Sequence, residues 1–138
     1  CEIGDQLAAI VPIAGATFQD MSQCANPTAV SVLHIHALDD LVIPYVGRPG
    51  PRGYPSTEDG VARWAQRAGC SPGGMPGERV DMVPGIEGDE TIWMRWSDCQ
   101  DPAKVALLKL EEGGHVPGFG RRFTDVALPW LLERRRGQ

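Results

Sequence analysis

No apolar run in this sequence reaches the ~20 residues that a membrane-spanning helix needs. Basic residues are also in deficit, since 13 Lys and Arg stand against 18 Asp and Glu, for a formal net charge of -5. Proteins that bind nucleic acid through its phosphates need a positive surface. We therefore expect neither a membrane nor nucleic acid as a partner. The one basic run, at 134–136, suits the C-terminal end of a helix.

The sequence has no C-x-x-C pair of the kind found in zinc ribbons and thioredoxin-like sites. Its four cysteines are widely spaced: Cys1, Cys24, Cys70 and Cys99. An even number at wide spacing favours two disulfides in a secreted or otherwise extracytoplasmic protein. Four cysteines allow three pairings, among which spacing does not choose. Four buried free thiols in a cytosolic protein are the alternative.

A signal peptide and an initiating methionine are also missing from the sequence. Residues 1–5 resemble the interior of a longer chain. The length of 138 residues suits one small domain. We expect this domain to be part of a larger protein.

Hydrophobic patterns predict four strands and two helices. Buried strands are expected at 7–15 and 30–36, a two-faced strand at 92–96 and a further strand at 105–110, with a short strand possible at 79–83. Ser56 and Asp59 have the spacing of a capping box. The helix after them has an apolar stripe and stops at Gly69. A second helix is predicted from about Thr124, with a kink at Pro129.

This order of elements predicts an α/β layered fold with a mostly parallel sheet and flanking helices. The two most apolar strands require cover on both faces of the sheet. The chain supplies few helices for that purpose. We therefore expect part of the covering structure to come from outside these residues.

Polar side chains follow two of the predicted strands. Asp39 and Asp40 come after the strand at 30–36, and His115 comes after the strand at 105–110. Functional groups gather beyond the carboxyl ends of strands in open α/β sheets. A carboxylate that meets a histidine there fixes its tautomer and frees the other ring nitrogen to act as a general base. Gly113 and Gly114 would allow the tight turn that exposes His115.

A nucleophile for this pair is not evident in the chain. Residues 69–73, GCSPG, match the pattern G-x-S-x-G. A nucleophile elbow requires a strand before the serine and a helix after it, whereas here a predicted helix precedes Ser71 and Pro-Gly-Gly follows it. We reject this match.

Two further groups of residues have ordinary explanations. His34 and His36 share one face of a strand, but no third metal ligand has a convincing spacing, so we predict hydrogen-bonded structural histidines and no metal. Trp93, Trp96 and Trp130 could form the stacking surface of a polymer- or carbohydrate-binding module. Packing in the core or at its edge is the more common role of tryptophan.

Several of these segments together resemble one family. Residues 36–45, HALDDLVIPY, resemble the H-G-x-x-D-x-x-V-P-Y segment of the polyhydroxybutyrate depolymerase and feruloyl esterase group of α/β-hydrolase serine esterases. Residues 112–115, EGGH, resemble the histidine loop of that group, and residues 8–15, AAIVPIAG, resemble the stretch after its nucleophile helix. Ala37 replaces the usual glycine. Val116 follows the histidine where the group has a longer, tryptophan-containing sequence.

The resemblance implies that residues 1–138 are the C-terminal half of an α/β-hydrolase catalytic domain. Asp40 aligns with the triad acid, with Asp39 as the runner-up, and His115 aligns with the triad histidine. The nucleophilic serine would lie upstream of Cys1. The resemblance also implies a disulfide between Cys70 and Cys99, with Cys1 and Cys24 as the second bridge.

The expected activity of the complete protein is therefore hydrolysis of an ester or polyester, without metal or organic cofactor. The chain would need the missing N-terminal half of its own domain and would be inactive alone. The alternative is an inactive fragment or a non-enzymatic binding module.

Overall fold

The computed structural model describes residues 1–26, 28–100 and 102–134. Positions 135 and 136 of the basic run fall outside these ranges. The described part contains five strands: β1 (Ala9–Ile10), β2 (Ser31–Ala37), β3 (Met75–Val80), β4 (Thr91–Trp96) and β5 (Val105–Leu110). It contains two α-helices, α1 (Thr57–Arg67) and α2 (Arg121–Leu132), and two short 3-10 helices at Gly4–Gln6 and Met21–Gln23. Neither α-helix is long and apolar enough to cross a membrane.

The five strands form one mixed sheet in the order β1-β2-β5-β4-β3. The pairs β1–β2 and β2–β5 are parallel, whereas β5–β4 and β4–β3 are antiparallel. β2 lies near the centre and all seven of its residues are buried. In the parallel register, Ala37 of β2 lies opposite Leu110 of β5. The two strands therefore end at the same edge of the sheet.

Alternating residues of β2 and β5 build a core on each face of the sheet. One core includes Leu33, Ile35 and Leu108, and side chains of α2 pack against it. The other includes Leu107 together with Val61 and Ala65 of α1. Because side chains alternate along a strand, the histidines of β2 lie on the face covered by α1.

Helix α1 forms as the sequence predicts. The Ser56 hydroxyl accepts a hydrogen bond from the Asp59 amide and donates one to the Asp59 carboxylate, which caps the first turn. Gly69, at φ +65°, follows the end of the helix, and a Cβ atom there would collide with the side chain of Gln100. Helix α2 begins three residues earlier than predicted and contains Pro129.

The predicted fold class is wrong. The sheet is not that of a mostly parallel α/β-hydrolase fragment with flanking helices, because two of its four strand pairings are antiparallel and the described residues contain only one α-helix on each face. The reason is connection length. A parallel crossover needs a dozen or more residues, but residues 97–104 are the only link between β4 and β5.

Two strand boundaries also differ from the prediction. β1 pairs with β2 only at Ala9 and Ile10, with one further bridge from Ile13 to Ile35, so the expected buried strand at 7–15 is short and half-buried. Pro12 within it has no amide to donate to a ladder. The strand expected at 79–83 instead covers 75–80 and is an exposed edge strand.

The predicted disulfides are confirmed, with Cys1 bonded to Cys24 and Cys70 to Cys99. The second bond ties the end of α1 to the connection between β4 and β5. With 29 residues separating the two cysteines, the bond is expected to stabilise the fold by about 3 kcal/mol through the entropy of the unfolded chain.

Candidate active site

The candidate site lies where β2 and β5 end side by side. Asp40 comes three residues after β2, and His115 comes five residues after β5. His115 Nδ1 lies 3.0 Å from Asp40 Oδ2. Because an ionised carboxylate only accepts hydrogen bonds, Nδ1 carries the proton and donates. Nε2 of the neutral ring is then the basic nitrogen.

Asp40 is buried, with 3% of its surface exposed, whereas the His115 side chain is 35% exposed. The second carboxylate oxygen, Oδ1, accepts hydrogen bonds from the amides of Val42 and Ile43, each at 2.8 Å. Burial alone would raise the pKa of Asp40. The hydrogen bonds from His115, Ile43 and Val42 outweigh burial, so the pKa is lowered from its ordinary value of 3.8. Asp40 is therefore ionised at neutral pH.

A second histidine contacts the same carboxylate. His36 Nε2, on β2, lies 3.1 Å from Asp40 Oδ2 and 2.9 Å from the carbonyl oxygen of Ile43. Its Nδ1 lies 2.9 Å from the Thr57 hydroxyl of α1 and 3.3 Å from Nε2 of His34. Asp40 Oδ2 is thus placed between two imidazole rings.

His34 is buried beside His36 on β2. Burial, together with the neighbouring His36, lowers the pKa of His34 from 6.5 to about 3. His34 is therefore neutral at ordinary pH. His34 and His36 lie within hydrogen-bonding distance of one another. Among the described residues, no group of three His, Cys, Asp or Glu side chains could hold a metal ion.

Asp39 has a different position from Asp40. Its carboxylate accepts a hydrogen bond of 2.8 Å from the Gly114 amide, whereas the hydrogen bond of the His115 ring is to Asp40. Gly113 and Gly114 have φ values of +147° and +66°, which residues with a side chain rarely adopt. Asp39 therefore holds the glycine turn that presents His115, while Asp40 contacts the imidazole itself.

No hydrogen bond to His115 Nε2 occurs in the described part of the chain, so this nitrogen has no nucleophile beside it there. Ser71 of the rejected G-x-S-x-G match follows α1 and donates its hydroxyl hydrogen to Asp98 at 2.7 Å. The Ser71 hydroxyl therefore bonds to Asp98 and not to His115.

Exposed apolar side chains lie close to Asp40 and His115 in the sequence. Leu41 is 91% exposed, Val116 79% and Val46 82%. Leu41 follows the acid directly and Val116 follows the histidine directly. The exposed surface of the residues that adjoin Asp40 and His115 in the sequence is therefore partly apolar.

The tryptophans do not form the stacking surface that a binding module would need. Trp93 and Trp96 are each only 7% exposed and pack into the two different cores of the sheet. Trp130 is half-buried against the core beneath α2.

The hydrogen bonds that His36 and Thr57 add to this site were not predicted from the sequence. The spacing of His36 and Asp40, with a strand end between them, was the available signal. The contact of Thr57 with His36 joins residues that are 21 positions apart, across the loop 38–56, and has no local signature.

The low pKa of Asp40 predicts a pH-dependent contribution to stability. A carboxyl group whose pKa is lower in the folded than in the unfolded protein stabilises the fold above its unfolded value, and this stabilisation is lost as the pH falls through the folded value. The difference in free energy of unfolding between the native protein and Asp40→Asn should therefore shrink below about pH 4. Urea unfolding between pH 6 and pH 2 measures this difference. A difference that stays constant over that range would contradict the prediction.

The comparisons with known proteins give no family for this chain. No protein-family model matches it, and no curated protein is significantly similar to it.

Proposed function

We propose that this chain supplies the acid and the histidine of a serine-type carboxylic ester hydrolase. The observation that carries the proposal is the pair formed by buried Asp40 and half-exposed His115, joined through Nδ1 at 3.0 Å. This pairing leaves Nε2 of the histidine available at the surface. The motifs around both residues resemble those of polyhydroxybutyrate depolymerases and feruloyl esterases.

In this mechanism, His115 is the general base. Its Nε2 takes the proton from a serine hydroxyl as the serine attacks the ester carbonyl, and then gives that proton to the departing alkoxide. Water repeats the cycle on the acyl-enzyme. Asp40 stays ionised and stabilises the imidazolium, which its low pKa favours. The chemistry requires neither a metal nor an organic cofactor.

The nucleophile and the amides that bind the oxyanion would come from a segment outside the 138 residues. The nitrogen that needs a serine has no hydrogen-bond partner among the described residues, which fits this proposal. The edge of β1 opposite β2 pairs with no described strand. Such a segment could pair at this edge or beside β3, the other edge strand.

The substrate class is an ester or polyester with apolar surface. Exposed Leu41, Val46 and Val116 favour such a substrate over a strongly charged one. We also propose that the protein acts outside the cytoplasm, where its two disulfides are stable.

The proposal is tested with the complete protein, expressed with its upstream residues in an oxidising compartment. We expect it to hydrolyse p-nitrophenyl acetate and to react with a fluorophosphonate at one serine, identified by mass spectrometry. His115→Ala should abolish both reactions, because the serine loses its base. Lys104→Ala, at an exposed position directly before β5 and so at the opposite end of that strand from His115, is the control. Hydrolysis that survives His115→Ala, or the absence of a labelled serine, would sink the proposal.

A further inference from the structure

Two imidazoles share one oxygen of the Asp40 carboxylate. His36 Nε2 lies 3.1 Å and His115 Nδ1 lies 3.0 Å from Asp40 Oδ2. Only His115 is open to solvent, since the side chain of His36 is 1% exposed. The mechanism above uses His115 and leaves His36 without a role.

The surroundings of His36 fix its tautomer. Its Nε2 faces two acceptors, the Asp40 carboxylate and the carbonyl oxygen of Ile43, so this nitrogen must carry a hydrogen. Its Nδ1 faces the Thr57 hydroxyl at 2.9 Å, which can donate to it. Thr57 is held in turn, because its own amide donates to the carbonyl oxygen of Tyr45 at 2.8 Å.

This arrangement joins a loop to a strand at the centre of the sheet. Asp40 lies in the loop after β2, whereas His36 lies on β2 itself, paired on both sides within the sheet. Asp40 Oδ1 is occupied by the amides of Val42 and Ile43, and Oδ2 is directed by His36 toward His115. Without the His36 hydrogen bond, only the His115 ring would hold Oδ2.

We propose that His36 is a positioning residue, whose Nε2–H fixes the Asp40 carboxylate and thereby the Nδ1–H tautomer of His115, with Thr57 fixing His36 in turn. The consequence for catalysis rests on the proposed function. The hydrogen-bond relation itself can be tested in the 138-residue chain without any activity.

Two substitutions that introduce an amide side chain distinguish the loss of the hydrogen bond to Asp40 from other effects of removing the His36 ring. In His36→Gln the side-chain amide nitrogen lies near the position of Nε2, so a donor to Asp40 is retained. In His36→Asn the amide nitrogen lies near the position of Nδ1, so that donor is lost. Tyr45→Phe is a packing control, since Tyr45 contacts the His36 ring edge-on at 5.6 Å and forms no hydrogen bond with it.

The readout is the tautomer of His115, measured by long-range ¹H–¹⁵N NMR at neutral pH in samples shown to be folded by circular dichroism. We expect the ratio of Nδ1–H to Nε2–H to fall about tenfold in His36→Asn, which is the effect of one hydrogen bond to a charged group. His36→Gln should restore most of the native ratio, and Tyr45→Phe should keep it. An unchanged ratio in folded His36→Asn would overturn the proposal.

Thr57→Val provides a second test if the histidine variants do not fold. It removes the hydroxyl from Nδ1 of His36 at nearly constant volume and leaves only His34, at 3.3 Å, beside that nitrogen. We expect His36 to become a mixture of tautomers and the His115 ratio to fall, but by less than in His36→Asn. A single, native His36 tautomer in Thr57→Val would contradict the role given to Thr57.

The complete protein distinguishes this proposal from the proposed function. If both hold, His36→Asn lowers kcat with KM nearly unchanged, and His36→Gln restores kcat. If the tautomer ratio changes as expected but the complete protein cleaves no ester, the positioning role stands and the proposed function fails. If the ester is cleaved and kcat is the same in His36→Asn as in the native protein, the positioning role fails alone.

Discussion

Replacing Asp40 with asparagine is expected to lower ester turnover of the complete protein by about 10⁴, through the wrong tautomer of the catalytic histidine. The surroundings of Asp40 dictate how the asparagine must lie. The amides of Val42 and Ile43 require an acceptor at the Oδ1 position. The amide oxygen of asparagine therefore occupies that position and its NH₂ group faces His115.

An NH₂ group in that position donates to His115 Nδ1, which must then lose its hydrogen. The ring hydrogen moves to Nε2. This nitrogen can then no longer accept the proton of the serine hydroxyl. The same NH₂ group also opposes the Nε2–H of His36, which can no longer donate there. Steady-state kinetics on p-nitrophenyl acetate measures the loss, which should fall mainly on kcat.

Asp39→Asn is the matched control for this prediction. Its side-chain oxygen can still accept the hydrogen bond from Gly114, so the turn before His115 is retained. We expect a much smaller loss than in Asp40→Asn. A larger loss of turnover in Asp39→Asn than in Asp40→Asn, with a near-normal rate in Asp40→Asn, would reassign the acid to Asp39.

The meeting of Asp40 and His115 could be predicted from the sequence because it depends on strong local signals. β2 is almost entirely apolar or β-branched apart from its histidines, which predicts a buried strand, and the mostly apolar run of β5 predicts a further strand. Once two such strands lie parallel and adjacent, their carboxyl ends lie at one edge, and the residues that follow must be neighbours.

The other half of the sheet is harder to predict, because the direction of its strands depends on the length of the connections as well as on the hydrophobic pattern. The segment before β4 is rich in glycine and proline, and its strand, β3, has five exposed residues out of six. Such a strand forms through backbone pairing with β4 and leaves little hydrophobic signal. The short link of residues 97–104 already required β4 and β5 to be antiparallel.

The support of Asp40 by His36 is only partly indicated by the sequence. That His34 and His36 share one face follows from strand periodicity. That Nε2 of His36 reaches the carboxylate depends on how the loop after Ala37 turns back, which is set by the two amide hydrogen bonds to Oδ1. A loop conformation of this kind results from tertiary contacts rather than local preference.

The 138-residue chain alone is expected to hydrolyse p-nitrophenyl acetate about 10⁶ times more slowly than the complete protein, as when the serine of a triad is removed. Two hydroxyl groups of the described residues are already engaged elsewhere: Thr57 contacts His36, and Ser71 donates to Asp98. Without a serine at Nε2, His115 can only assist water, with no acyl-enzyme and no complete oxyanion site.

His115→Ala in the isolated chain tests this explanation of the missing activity. Its residual rate should be close to that of the unsubstituted chain, because a base without its nucleophile contributes little. Titration with a fluorophosphonate should find no reactive serine in either protein. Hydrolysis by the isolated chain that is fast and sensitive to a serine inhibitor would place the nucleophile within these residues, and the requirement for an external serine would then be wrong.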